Sequence, residues 1–290
     1  MAVKKLNGLS LIALFTVLAM LSWPASAQAG LEFKVRLHGG LGYLVGGDLN
    51  SGVEGQMEMY KNLFLMGGGT SEGSFKPAHF GAALGGDLIL QLSPAFGVGI
   101  GTGYIQASRS SEVAMAFLGN NYTLSASPEL HSIPVKLNVF VSLPSGPVTF
   151  NFHGGLGYYL SKLSYILRFD GPAAFSQYDV RLNTKGGFGF QGGAGLEFPI
   201  SSALSLFLEA EGRYLVIDGF DGTLTATATG LPASTITGKL YNYEQMTAVG
   251  NYRWTIVSDL VLTEIPSAKA REAKIDFSGV ALVIGLSLRI

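Results

Sequence analysis

From Leu31 onward, apolar and polar residues alternate along the chain with the period of two expected of half-buried β-strands. In the first such run Leu31, Phe33, Val35, Leu37, Leu41 and Tyr43 share one face, and Glu32, Lys34, Arg36 and His38 the other. A second begins at Phe80, with Ala82, Leu84, Leu88, Leu90 and Leu92 set against Asp87 and Gln91. The third sets Phe96, Val98, Ile100, Thr102 and Tyr104 against glycines. In the fourth, Ile133 to Leu143 oppose Lys136 and Asn138. The second half of the chain continues the scheme. Val148, Phe150, Phe152, Leu156 and Tyr158 oppose Thr149, Asn151 and His153, and then Phe188, Phe190, Ala194, Leu196 and Phe198 oppose Gln191 and Glu197. Leu204, Leu206, Leu208, Ala210 and Tyr214 oppose Glu209, Glu211 and Arg213. The last run, Val280 to Ile290, opposes Gly285, Ser287 and Arg289.

The connections alternate as well. Ser93–Ala95, Pro144–Pro147 and Pro199–Ala203 are tight, whereas 46–78, 107–129, 162–185 and 216–273 are long. Short turns on one side and long loops on the other are the plan of an outer-membrane barrel, with the short side periplasmic. The reading is therefore an all-β, eight-stranded antiparallel up-and-down transmembrane β-barrel with long extracellular loops. On every upgoing strand the apolar face ends in tyrosine: Tyr43, Tyr104, Tyr158 and Tyr214. Ten residue steps from Val148 to Tyr158, at ~3.3 Å each and a tilt of ~40°, span about 25 Å, the height of the apolar band of such barrels. Phe33, Phe96, Phe150 and Phe198 mark the other end of that band, which makes two aromatic girdles. A soluble lipocalin-type barrel would be apolar inside and polar outside, and here the faces are expected the other way round.

The N-terminus and the composition place this barrel. Lys4 and Lys5 precede an apolar stretch, Leu9–Trp23, and then Ala25-Ser26-Ala27, the layout of a cleaved secretory signal peptide. Residues 1–27 are expected to be this leader and 28–290 the barrel domain. Without the two leader lysines, 17 bases face 20 acids, a balance too even to suggest a nucleic-acid partner. With no cysteine, disulfides and thiolate metal sites are excluded, and so is a lipid anchor after the cleavage site. Charged residues are only 13% and glycines number 40. Mean hydropathy is +0.34, yet no apolar run after residue 27 has the length of a membrane helix. A closed barrel is the remaining way to satisfy the backbone of so apolar a chain in lipid.

Three segments carry a family resemblance: Ile133-Pro134-Val135-Lys136-Leu137-Asn138, Leu206-Phe207-Leu208-Glu209-Ala210-Glu211, and the closing Asp276–Gly279 with Gly285–Ile290. They resemble the OmpA/OmpX-type small outer-membrane barrels, and the likeness runs over essentially the whole chain after the leader. The resemblance implies an architecture more than an activity. It implies a bilayer partner and recognition of the closing strand by the barrel-insertion machinery, although Ile290 stands where many members end in Phe or Trp. No additional periplasmic domain of the peptidoglycan-binding kind is expected.

Candidate chemistry is sparse. His38-Gly39-Gly40-Leu41-Gly42-Tyr43 recurs as His153–Tyr158 in the same phase, His inward and Tyr outward. This pair reads as duplication, as a paired histidine site, or simply as glycines that allow curvature beside a polar lumen residue. Two histidines alone make no metal site, and neither a metal nor a cofactor is expected. Gly187–Gly192 has dinucleotide-fingerprint spacing, but it lies in a strand with no helix following, so it is rejected. A hydrolase would need Ser, His and an acid together; His131-Ser132 lies at a rim, and Glu129 is expected in a loop. The chain is expected to be non-enzymatic. The inward charges Lys34, Arg36, Asp87, Lys136, Glu209, Glu211 and Arg213 must pair in a narrow lumen, as a structural plug or as a gate. Envelope structure or surface interaction is the leading role, and a narrow small-solute, porin-like channel gated by those salt bridges is the alternative. In loop 216–273, alternation at Thr223–Thr229 and Ser234–Tyr243 across Gly230-Leu231-Pro232 predicts a projecting hairpin. With Tyr241, Tyr243, Tyr252 and Trp254 exposed, it is a possible surface-ligand site.

Overall fold

The computed structural model describes residues 31–264 and 269–290, and the expected leader lies outside them. Described elements begin with β1 (Glu32–Leu44), helix α1 (Asp48–Met66), β2 (Thr70–Gly73), β3 (Phe80–Ser93) and β4 (Phe96–Ser108). Then come β5 (Ser111–Phe117), β6 (Asn120–Ser145), β7 (Val148–Asp170), β8 (Phe175–Asn183), β9 (Gly187–Pro199) and β10 (Leu204–Tyr214). The remainder are β11 (Val216–Ile217), β12 (Asp221–Ala228), β13 (Leu231–Thr247), β14 (Gly250–Ser258), β15 (Arg271–Glu272), β16 (Ile275–Asp276) and β17 (Gly279–Arg289). Among the described residues no helix is long and apolar enough to cross a membrane.

The protein is all-β and antiparallel, with one 15-stranded sheet and a two-stranded one, so the strands exceed the expected eight. Starting from β1, ladders to β3, β4, β6, β7, β9, β10 and β17 lead back to β1. These are the strands that the alternation marks. The tight connections at Pro94-Ala95, Gly146-Pro147 and Ile200–Ala203 all fall at the end that carries Glu32 and Arg289.

The additional strands occupy segments expected to be loops. The 26-residue β6 and 23-residue β7 stay paired from Ser145↔Val148 up to Thr123↔Asp170, so residues 120–129 and 162–170 prolong the wall. The β12–β13 hairpin turns at Thr229-Gly230, where Gly230 has φ +76°, a left-handed turn conformation natural for glycine. It is the hairpin the alternation predicts. Segment 46–78 instead contains α1, whose Leu49, Val53 and Met57 recur at helical spacing on a buried face.

Along one continuous face the polarity reverses. In β6 the even-numbered positions from Leu124 to Ser142 are all buried; toward the turn end they are Ser142, Asn138 and Lys136, and toward the far end Leu130, Ala126 and Leu124. Below the tyrosines the outward residues are bare aliphatics, with Leu41 76% and Leu137 62% exposed. Beyond the tyrosines the interior is a hydrophobic core joining Leu44, Tyr159, Leu163, Leu182, Leu215 and Phe277 to the α1 face. The molecule therefore has an inside-out lower barrel and a conventionally packed head.

Candidate functional site

The lower barrel positions its inward charges through strand register. Arg36 lies opposite Asp87 on β3 and Ser287 on β17, while Lys136 lies opposite Gly101 and Gly157. Glycines across the ladder create the room that long side chains need. A Cβ on Gly101 would sit 2.1 Å from Asp87 Oδ1, on Gly85 2.5 Å from His38 Nε2, and on Gly193 2.5 Å from His153 Cε1. The space beside these inward glycines is taken up by polar side chains of the neighbouring strand.

Five of the seven predicted charges meet in one layer. Arg36 donates from Nη2 to Glu209 Oε2 at 2.8 Å, with both side chains almost wholly buried. The Arg36 guanidinium also stacks over Phe207, 3.7 Å from its centroid, and its Nε has no hydrogen-bond partner among the described residues. Lys136 Nζ is 3.6 Å from Asp87 Oδ1, at the outer limit of a salt bridge. His38 bridges this layer, Nδ1 lying 3.9 Å from Asp87 Oδ2 and Nε2 lying 3.8 Å from Glu211 Oε1. His153 Nδ1 is 3.1 Å from Glu209 Oε1, though not in hydrogen-bonding alignment.

Lys34 and Arg213 sit away from that layer. Lys34 faces Glu197 at 3.9 Å toward the turn end, where Glu197 also accepts from Asn151 Nδ2 at 2.7 Å. Arg213 donates from Nε to the Phe277 carbonyl at 3.0 Å, at the upper boundary, and makes no ion pair among the described residues. Asn138 and Gln191, inward by phase but not proposed as site residues, and Tyr159 complete the layer's upper side. Gln191 Nε2 donates to Asn138 Oδ1 at 2.8 Å, and Tyr159 donates to Gln191 Oε1 at 2.5 Å. Their inward phase was the available signal.

The space left is small. A cavity of about 30 Å³ lies among His38, Lys136, His153, Tyr159, Glu211 and Arg213, room for about one water. Below it a wider vestibule of about 290 Å³ opens between Lys34, Gln91, Glu197 and Arg289. His153, Glu209 and Glu211 bring three metal-type donors within 4.8 Å of one another. Carboxylates do stand beside the histidine, then, but Arg36 already neutralises Glu209 there.

The four tyrosines lie on the outward face just below the head. Tyr43 stacks on His79 with centroids 4.8 Å apart, Tyr158 donates to the Lys185 carbonyl at 2.5 Å, and Tyr214 is 67% exposed. Tyr104 hydrogen-bonds His131. Glu129 is in β6 rather than a loop, 3.0 Å from His131 Nε2. Ser132, however, points inward on the opposite face and bonds Ser161 Oγ at 2.8 Å, so His131 and Ser132 form no catalytic pair. In the hairpin region Tyr241, expected exposed, is 2% exposed, and Tyr243, Tyr252 and Trp254 are half-buried.

Aliphatic outward faces, paired charges inside and aromatic residues at one height define an integral barrel-like membrane protein. The family model for the outer membrane protein beta-barrel domain matches residues 13–239, and the chain belongs to that family. It is an outer-membrane protein in contact with the outer-membrane bilayer. Comparison with curated proteins finds no match. Among solved structures it is similar to the outer membrane protease OmpT from Escherichia coli, with 8% identity over 92% of this chain and 100% of that one and a TM-score of 0.29. It is also similar to a Pseudomonas aeruginosa FadL homologue, with 7% identity over 89% of each chain and a TM-score of 0.15. At these scores neither likeness carries an argument about activity.

Proposed function

We propose that the eight-strand circuit is a plugged transmembrane barrel that anchors the head at the cell surface, in a non-enzymatic structural or surface-interaction role. The observation that carries this reading is the double obstruction of the lumen. The Arg36–Glu209 and Lys136–Asp87 layer fills the narrow barrel, and the hydrophobic core around α1 covers it from above. Water and ions have no continuous polar route through an apolar core of that kind. The exposed hairpin, with Leu231 at its tip 69% and Ile236 on its side 41% exposed, is the surface offered to a partner. The closing strand β17 serves the insertion machinery.

A gated conduit is the second reading, favoured by the vestibule of about 290 Å³ at the turn end. Planar-bilayer recording separates the two. The plugged barrel gives a silent bilayer, and Lys136→Ala or Glu209→Ala does not make it conduct while α1 remains in place. A reproducible parent conductance that changes in either variant establishes the conduit instead.

A further inference from the structure

The head also holds a cavity of about 130 Å³, open on one side, between α1 and strands β7, β8, β12 and β14. Rings dominate its wall: Tyr60, Tyr165, Tyr178 and Trp254, with aliphatic Leu167 and Leu224 between them. No charged side chain lines it. Three of its lining residues each carry a buried polar atom that forms no hydrogen bond among the described residues, namely Gln56 Oε1, Trp254 Nε1 and Thr255 Oγ1.

These atoms are held in place by their neighbours. Gln56 donates from Nε2 to the Thr255 carbonyl at 3.0 Å, which fixes the amide, and the Tyr165 hydroxyl reaches the same carbonyl at 3.4 Å. Buried polar atoms are nearly always paired, so three around one cavity call for a partner inside it.

We propose that this cavity binds a small neutral aromatic molecule carrying one hydroxyl. Its size suits a single ring, since an apolar cavity of ~150 Å³ accommodates benzene. An uncharged wall disfavours an ionic ligand, because nothing offsets the ligand's lost hydration. The polar atoms fit a hydroxyl: the indole N–H can only donate and the amide oxygen can only accept, and one hydroxyl answers both. Tyr178, at 37% exposure, puts one side of the wall at the head surface. The site does not depend on whether the lumen conducts.

The chain has two tryptophans, Trp23 and Trp254, so in a Trp23→Phe background Trp254 alone reports on the cavity. The full chain, reconstituted and titrated with benzyl alcohol, should show a saturable shift of Trp254 emission. Toluene, lacking the hydroxyl, should bind about tenfold more weakly, the scale of one satisfied buried polar group, and benzoate should give no response. Leu224→Phe, which narrows the cavity at a partly buried position, should abolish saturation while heat-modifiable gel mobility shows the barrel intact. Gln56→Leu should erase the preference for benzyl alcohol over toluene. A linear, unsaturable response, or one unchanged by Leu224→Phe, overturns the proposal and leaves a cavity that holds only water.

Discussion

Leu137 and Ser127 lie ten residues apart on the same face of the same strand, β6, and point outward from the same sheet. Leu137 is a bare aliphatic residue whose inward neighbours are Lys136 and Asn138. Ser127 is a polar residue whose inward neighbours are Ala126 and Pro128, at the edge of an apolar core. Backbone and phase are identical in the two places, so the difference lies in the surroundings each is built for. Below the tyrosines the outer medium is lipid, and the polar side chains must turn inward and pair. Above them it is water, and the ordinary hydrophobic arrangement returns.

The lower region depends on charge pairing, and breaking one pair there has the largest expected effect. Glu209→Ala leaves Arg36 buried without its carboxylate and should cost about 3–5 kcal/mol in urea unfolding from detergent. The double variant Arg36→Met/Glu209→Met should recover most of that. If Glu209→Ala alone is neutral, the layer is not what holds the lower barrel. Next in size is the effect of one charge on the outer face. Leu137→Lys should cost about 2–4 kcal/mol because it faces lipid at mid-band. Ser127→Lys should stay within about 0.5 kcal/mol because it faces water. Equal costs in the two positions would erase the contrast between the regions.

Alkali should act on the head first. Burial pushes the Tyr165 phenol, which lies beyond the membrane-facing stretch of β7, up to about 12 from its ordinary value of 10. Its folded-state proton is held more tightly than in the unfolded chain, so this contribution is whole below pH 10 and fades as pH rises toward 12. The loss is roughly 2–3 kcal/mol, and Tyr165→Phe should remove the dependence. Near-ultraviolet circular dichroism with limited proteolysis checks it; a head equally protected at pH 9 and pH 12 contradicts it. The smallest effect belongs to Arg271, half exposed, which pairs with Asp48 at 2.5 Å and ties α1 to the segment before β16. Arg271→Gln should change head stability by no more than about 1 kcal/mol, read by the same proteolysis.

The reversal also explains what the sequence discloses. In the lower strands apolar residues such as Ile133, Val135 and Leu137 occupy odd positions, so alternation, turns and tyrosines mark the strands of the circuit directly. In 120–130 the apolar residues Leu124, Ala126 and Leu130 fall on even positions of the same strand. To a reading that expects apolar residues outside, this is a broken pattern, and a continuing strand passes for a loop. Helix α1 is obscured differently. Its apolar stripe is short, Gly52 and Gly55 weaken its helical propensity, and Asn50 and Gln56 are buried polar residues whose partners lie elsewhere in the chain. The lumen charges were legible as inward residues, but not their pairing. Arg36 and Glu209 are 173 residues apart, and only the circuit of strands brings them together.

Cysteine accessibility on intact cells tests the two-region account most directly, because the native chain has no cysteine to give background. With single-cysteine variants Ser127→Cys and Leu137→Cys and a membrane-impermeant maleimide, Ser127→Cys should label rapidly and Leu137→Cys not at all. Labelling of Leu137→Cys at the rate of Ser127→Cys, or protection of both, would contradict a lipid-facing lower barrel beneath a water-exposed head.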